Sequence, residues 1–172
     1  MTISEENDLK TILFPKGTQF DERNQLSLLL EQYKLFVDTE EKLVARRQNV
    51  NTFFLSLNTL LLAALGIVAK EAIKMQLALI GVLAISLAGF LLCIAWYKLV
   101  HSYRQLNAGK FAIIHLLEEY LPAALFKAEW IALGEGRDKK KYTPFTKTEA
   151  IIPFVFVALY VLSIIVSLYL CR

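Results

Sequence analysis

Three long stretches without a charged residue constrain this chain more than any other feature. They cover residues 52–69, 75–97 and 150–170, which are 18, 23 and 21 residues long. As helices they would reach roughly 27 to 35 Å, and the apolar core of a bilayer is about 30 Å thick. Unpaired backbone groups are costly in lipid, so spans of this kind must be helical. The sequence therefore predicts an all-α integral membrane protein with three transmembrane helices, the first two forming a hairpin over residues 52–97.

The remaining segments divide by their periodicity. Residues 1–23 have no sustained pattern and are expected to form a loose N-terminal arm, whereas residues 24–51 repeat apolar side chains every three or four positions. That spacing predicts a cytoplasmic amphipathic helix, and no Pro or Gly separates it from the first span. Residues 98–149 predict further amphipathic helices, including a short one over 122–133, and a basic loop. Residues 150–172 form the third transmembrane helix, which Pro153 is expected to bend.

The positive charges indicate the topology. Of the 19 Lys and Arg residues, seven precede the first span, two lie in the hairpin link, nine lie between the second and third spans, and one is in the tail. Because positive residues collect on the cytoplasmic side, the N-terminus and residues 98–149 are expected in the cytoplasm. The C-terminus is then expected outside.

Polar and small residues inside the spans are the candidate contact positions. The first span carries a polar patch of Asn51, Ser56, Asn58 and Thr59. Such groups are costly when they face lipid, so they predict either hydrogen bonds between helices or a water-filled lumen lined by Asn58. The second span has a stripe of small residues, which predicts close packing on the first span or on a neighbouring subunit. The stripe comprises Gly81, Ala84, Ala88 and Ala95.

No pattern in the chain points to catalysis. His101 and His115 are fourteen residues apart, which is not a metal-ligand spacing, and there is no glycine-rich phosphate loop or nucleophile elbow. The lysine run at 139–141 is interpreted as a solvated, topology-setting charge run rather than a nucleic-acid site. We therefore expect no enzyme activity, no metal, no cofactor and no nucleic-acid partner.

Several motifs resemble one family. Residues 46–59, 102–111 and 116–122, together with Glu129 and Trp130, are similar to the RipA family of small bacterial integral membrane proteins. The resemblance implies an octamer in the bacterial cytoplasmic membrane. It also implies that charged residues near the membrane surface could form ion pairs between subunits. The candidates are Arg46, Arg47, Arg104, Lys110, Glu118 and Glu129.

These observations support one leading hypothesis and two alternatives. The leading one is a non-enzymatic, octameric inner-membrane complex, channel-like or scaffold-like, with a cytoplasmic helical crown; its partners are copies of itself and membrane lipid. One alternative is a membrane-permeabilising defence effector of the SLATT type. The other is an envelope-homeostasis adaptor that binds an unidentified membrane or lipid-synthesis partner.

Overall fold

Five α-helices make up the part of the chain that the computed structural model describes, which is residues 3–14, 24–72, 76–137, 141–142 and 148–170. They are α1 (Ile3–Leu13), α2 (Asn24–Ala72), α3 (Gln76–Glu118), α4 (Leu125–Ala132) and α5 (Ile152–Leu170), with a 3-10 turn at Gly134–Gly136. No strand occurs in these ranges. Helices α2, α3 and α5 are long and apolar enough to cross a membrane. This confirms the predicted all-α membrane fold with three spanning helices.

Helices α2 and α3 each join an apolar run to an amphipathic one. They contain 49 and 43 residues, and neither contains a proline that would remove a backbone donor and break the helix. Residues 98–149 are predicted as a segment separate from the second span, but in the structure helix α3 continues without a break through Tyr97 to Glu118. Residues 73–75 of the expected hairpin link lie outside the described residues.

The N-terminal arm differs from its prediction. Residues 3–13, expected to be loose, form helix α1. Lys10 Nζ lies 2.9 Å from Glu119 Oε2, and the ring centroids of Phe14 and Tyr120 are 4.3 Å apart. Helix α1 is thus held in place by tertiary contacts. Such contacts cannot be predicted from the local periodicity of the sequence. Residues 15–23 lie outside the described residues.

The two predicted proline effects also need correction. Helix α4 begins at Leu125 rather than at Pro122, and it ends before Gly134, whose φ of 71° is the left-handed conformation common after a helix. Pro153 lies in the first turn of α5, where its missing N–H has no helical acceptor to lose. It therefore fits the start of that helix instead of bending it.

The chain divides into two compact units. The head unit comprises Met1–Val44 and Gln105–Thr143, and the membrane unit comprises Ala45–Arg104 and Pro144–Arg172. The membrane unit has an apolar core drawn from α2, α3 and α5. Its buried members are Phe54, Leu65, Val82, Cys93, Trp96, Val100, Phe156 and Tyr160.

The head unit has its own buried residues. Leu29 and Leu43 of α2 lie beneath the surface, as do Ile114, Leu116 and Leu117 of α3. Helix α4 has no buried residue of its own. It is attached to α3 through the rings of Phe126 and Phe111, whose centroids are 5.8 Å apart.

Candidate functional site

Asn58 is the centre of a polar cluster inside the membrane unit. Its side chain has no exposed surface. Its amide nitrogen donates to the Phe54 carbonyl at 2.8 Å, and its Oδ1 accepts from the Tyr160 hydroxyl at 3.0 Å and from Cys93 Sγ at 3.4 Å. One asparagine thus links α2 to both α3 and α5. Its amide group finds within the protein the hydrogen-bond partners that lipid cannot provide.

Asn51, seven residues before Asn58 on α2, makes a second hydrogen-bonded link to α3. Its Oδ1 accepts a hydrogen bond from Trp96 Nε1 at 2.9 Å. The Trp96 ring stacks on Phe54 with centroids 5.8 Å apart and an interplanar angle of 10°, and it meets Phe156 of α5 at 6.1 Å. Because the indole N–H has a partner, this large side chain can be almost fully buried.

The predicted polar patch is therefore divided into two pairs. Asn51 and Asn58 turn toward α3 and α5 of the same chain, whereas Ser56 and Thr59 are exposed. Thr59 Oγ1 donates back to the Leu55 carbonyl at 2.8 Å. The interpretation of Asn58 as a lumen-lining residue is at odds with this geometry, since a side chain with no exposed surface cannot meet water in a lumen.

The small-residue stripe of the second span is divided as well. A Cβ at Gly81 would lie 3.0 Å from Val68 of the first span, so this glycine packs within the subunit. Ala84, Ala88 and Ala95 are exposed. Helices α3 and α5 approach closely at Gly89, where a Cβ would lie 2.1 Å from the Tyr160 ring. That contact was not predicted from the sequence.

Two of the six candidate ion-pairing residues are engaged within their own chain. Arg47 Nε lies 3.5 Å from Glu149 Oε2, and both side chains are largely buried. At that distance, and without a hydrogen bond between these atoms, the contact is a buried ion pair. Glu118 is also buried, with 2% of its surface exposed. Both residues therefore have partners within their own subunit, and the expected pairing between subunits stays a prediction for them.

Glu118 instead caps helix α4. Its carboxylate accepts from the backbone N–H of Phe126 at 2.7 Å and of Lys127 at 3.0 Å, and from the Tyr33 hydroxyl at 3.1 Å. These are first-turn donors of α4, whose own N-cap, Ala124, has no side-chain oxygen. A negative charge at a helix N-terminus is also favoured by the helix dipole.

The Glu118 carboxylate contributes to a raised pKa of Tyr33. Burial, together with the charge of Glu118 and its hydrogen bond, raises the pKa of Tyr33 to about 12. The phenol is thus held protonated as a donor. No local sequence pattern indicates this contact, because Tyr33 and Glu118 are 85 positions apart.

The other four charged candidates are at the surface or partly so. Lys110 Nζ donates to Thr39 Oγ1 and lies 4.6 Å from the centroid of the Phe36 ring. Arg46, Arg104 and Glu129 are exposed, and no ion pair to them is present among the described residues.

The histidines take part in ring contacts. His101 lies against Tyr97 with centroids 6.4 Å apart, and His115 meets Phe111 edge-on at 6.3 Å. Within the described ranges, no group of three His, Cys, Asp or Glu side chains is arranged to hold a metal ion.

Comparison with known proteins gives one match. The model of the octameric membrane protein family (8xMP) matches residues 30–169, which is more than half of the chain. The matched region runs from the N-terminal part of α2 to the end of α5. No curated protein and no solved structure matches this chain.

Proposed function

Because this chain belongs to the octameric membrane protein family, as the resemblance predicted, we propose that it is a non-enzymatic octameric scaffold of the bacterial inner membrane. Self-association in a membrane follows from the family and the three apolar helices. The scaffold role, the subunit number and the inner membrane are our proposal. Its N-terminus and residues 98–149 lie in the cytoplasm, as the distribution of Lys and Arg favours.

The observation that carries the proposal is the difference between the outward faces of the spans. Thr52 and Ser56 are each two residues from the buried Phe54, or about 160° round the helix, so they point away from the core of their own subunit. With Thr59 they give α2 a hydroxyl-bearing face. On α3 the exposed Ala84, Ala88 and Ala95 form a shallow face.

The described part of α5 has no comparable row of exposed small or hydroxyl side chains. Its exposed side chains are mostly bulky and apolar, as are others on α2 and α3. On α5 they include Phe154, Val155, Leu159, Val161, Leu162, Ile165, Val166 and Leu168, and Ala158 is its exposed small residue. Such a surface suits acyl chains, whereas small and hydroxyl side chains suit close helix contacts. We therefore assign α5 to the lipid boundary and the outward faces of α2 and α3 to contacts with neighbouring subunits.

A scaffold is favoured over a channel by the location of the strongest polar groups. The Asn58 amide and the Tyr160 hydroxyl are satisfied inside the subunit, and the Thr59 hydroxyl bonds to its own helix. None of these groups requires water. The hydroxyl-bearing face of α2 supports one second candidate, a channel in which Thr52, Ser56 and Thr59 line a lumen.

Two measurements test these proposals. Native mass spectrometry of the full chain in nanodiscs should give about eight times the 19.6 kDa chain mass, and a monomer would overturn the assembly. Ion flux in liposomes separates the two candidates: the scaffold predicts no flux from the parent protein. The channel predicts flux that Ser56→Leu abolishes without changing the mass, while the control Ser163→Leu on α5 has no effect.

A further inference from the structure

An apolar groove lies on the head unit. It has a volume of about 760 Å³ and lies among α1, α2 and α3. Its walls include Leu9 and Ile12 of α1, Phe36 of α2, and Leu106 and Ile113 of α3, with Lys110 at its edge. Ile12 is 75% exposed and Leu106 is 52% exposed. Exposed apolar surface of this kind outside the spans commonly marks a contact site.

An apolar ridge lies elsewhere on the same unit. Leu28 and Leu35 of α2 are 57% and 67% exposed. They are seven residues apart, so they share a helix face and are separated by roughly 10 Å along its axis. Glu31 lies between them and is also exposed.

We propose that the groove of one subunit receives the Leu28–Leu35 ridge of a second copy of this chain. This inference rests on the proposed octamer and identifies a contact within it. The groove repeats the spacing of the ridge, because Leu106 and Ile113 are also seven residues apart on α3. Between them lies Gly109, where an added Cβ would meet nothing within 4 Å. A knob-into-hole contact between helices requires such a gap.

Charge fixes which way the ridge enters the groove. Lys110 contacts the Thr39 hydroxyl and the Phe36 ring, and no carboxylate pairs with it among the described residues. Glu31 of the ridge likewise has no ion pair in the described ranges. Asp8 lines the same groove and would repel Glu31. The favourable register therefore brings Glu31 of one copy to Lys110 of the other.

Disulfide cross-linking tests the contact directly. Two differently tagged full-length copies, each with Cys171→Ser, are co-expressed in membranes; one carries Leu35→Cys and the other Leu106→Cys, because α2 and a neighbour's α3 run antiparallel and Glu31 opposite Lys110 places Leu35 opposite Leu106. Oxidation should join the two tags, and either variant expressed alone should give no cross-linked dimer. A dimer from Leu35→Cys alone would mean that ridge meets ridge, and would overturn the proposal.

Filling the groove provides an independent test. Gly109→Leu should remove the Leu35–Leu106 cross-link and lower the native mass, while circular dichroism keeps its helical signal because the new side chain has room in its own subunit. Glu31→Lys and Lys110→Glu should each reduce the cross-link, and the double variant should restore it. Glu41→Lys, an exposed acid on another face of α2, is the matched control and should have no effect.

The outcomes separate this inference from the proposed function. An octamer without the cross-link, unchanged by Gly109→Leu, would overturn the ridge-in-groove contact and leave the octameric scaffold standing. A monomeric parent protein would overturn both.

Discussion

Removing the Glu118 carboxylate should release helix α4 from α3. In Glu118→Ala the backbone N–H groups of Phe126 and Lys127 lose their acceptor, and the Tyr33 hydroxyl is left without one. Loss of an N-cap costs about 1–2 kcal/mol, and an unpaired buried donor costs about 1–3 kcal/mol. Since these losses are not fully additive, we expect the docking of α4 to weaken by about 2–4 kcal/mol.

Hydrogen exchange measures this release at the amides concerned. At about 1.4 kcal/mol per factor of ten, the Phe126 and Lys127 amides should exchange about 30-fold to several hundred-fold faster in Glu118→Ala. The neighbouring Glu119 provides the control, because it is 38% exposed and pairs with Lys10 at the surface. Glu119→Ala should change exchange at these amides by less than about fivefold. Equal effects of the two substitutions would refute the assignment of Glu118 as the cap.

Three further predictions concern other buried groups. Asn58→Leu should lower the apparent Tm in detergent, losing about 1–2 kcal/mol of helix packing, and an unchanged Tm would contradict the role of its cluster. Gly89→Ala should also lower the Tm, since its Cβ would lie 2.1 Å from Tyr160, whereas Gly66→Ala, with nothing within 4 Å, should not. The pKa of Tyr33, raised by burial from 10.0 to about 12, means that its contribution to stability is complete below pH 10 and is lost as the pH rises through about 12. Ultraviolet titration against Tyr33→Phe checks that window, and a phenolate forming near pH 10 would exclude it.

The spans could be predicted from sequence because they depend on local composition. Uncharged runs of about 20 residues have few alternatives to membrane helices, and the cost of an amide in lipid required that Asn58 face another helix or water. The identity of its partner could not be predicted, because Tyr160 is 102 positions away and the register of α5 against α2 depends on packing. The sequence favoured a neighbouring helix but left a water-filled lumen open as the alternative.

The burial of Glu118, outside the spans, also could not be predicted from the sequence. Glu118 and Glu119 are adjacent and chemically alike, so no local pattern indicates which one is buried. The choice depends on where the chain returns after Pro122, which places the start of α4 over Glu118. The family resemblance suggested an ion pair for Glu118, whereas the structure uses its carboxylate as an acceptor for backbone donors.

The length of α5 has a consequence for the choice of bilayer. Helices α2 and α3 extend well past a membrane thickness, but α5 has 19 residues and reaches roughly 29 Å. It therefore matches an ordinary hydrocarbon core with almost no reserve, as does the 18-residue uncharged run of α2, and a thicker bilayer creates a hydrophobic mismatch at these two helices before it does at α3. Because Tyr160 of α5 bonds to Asn58, strain from thick, long-chain lipid would be transmitted to the polar centre of the subunit. The protein should thus be most stable in lipids whose acyl chains suit α5 and the apolar run of α2, whereas the longer apolar run of α3 imposes a weaker preference.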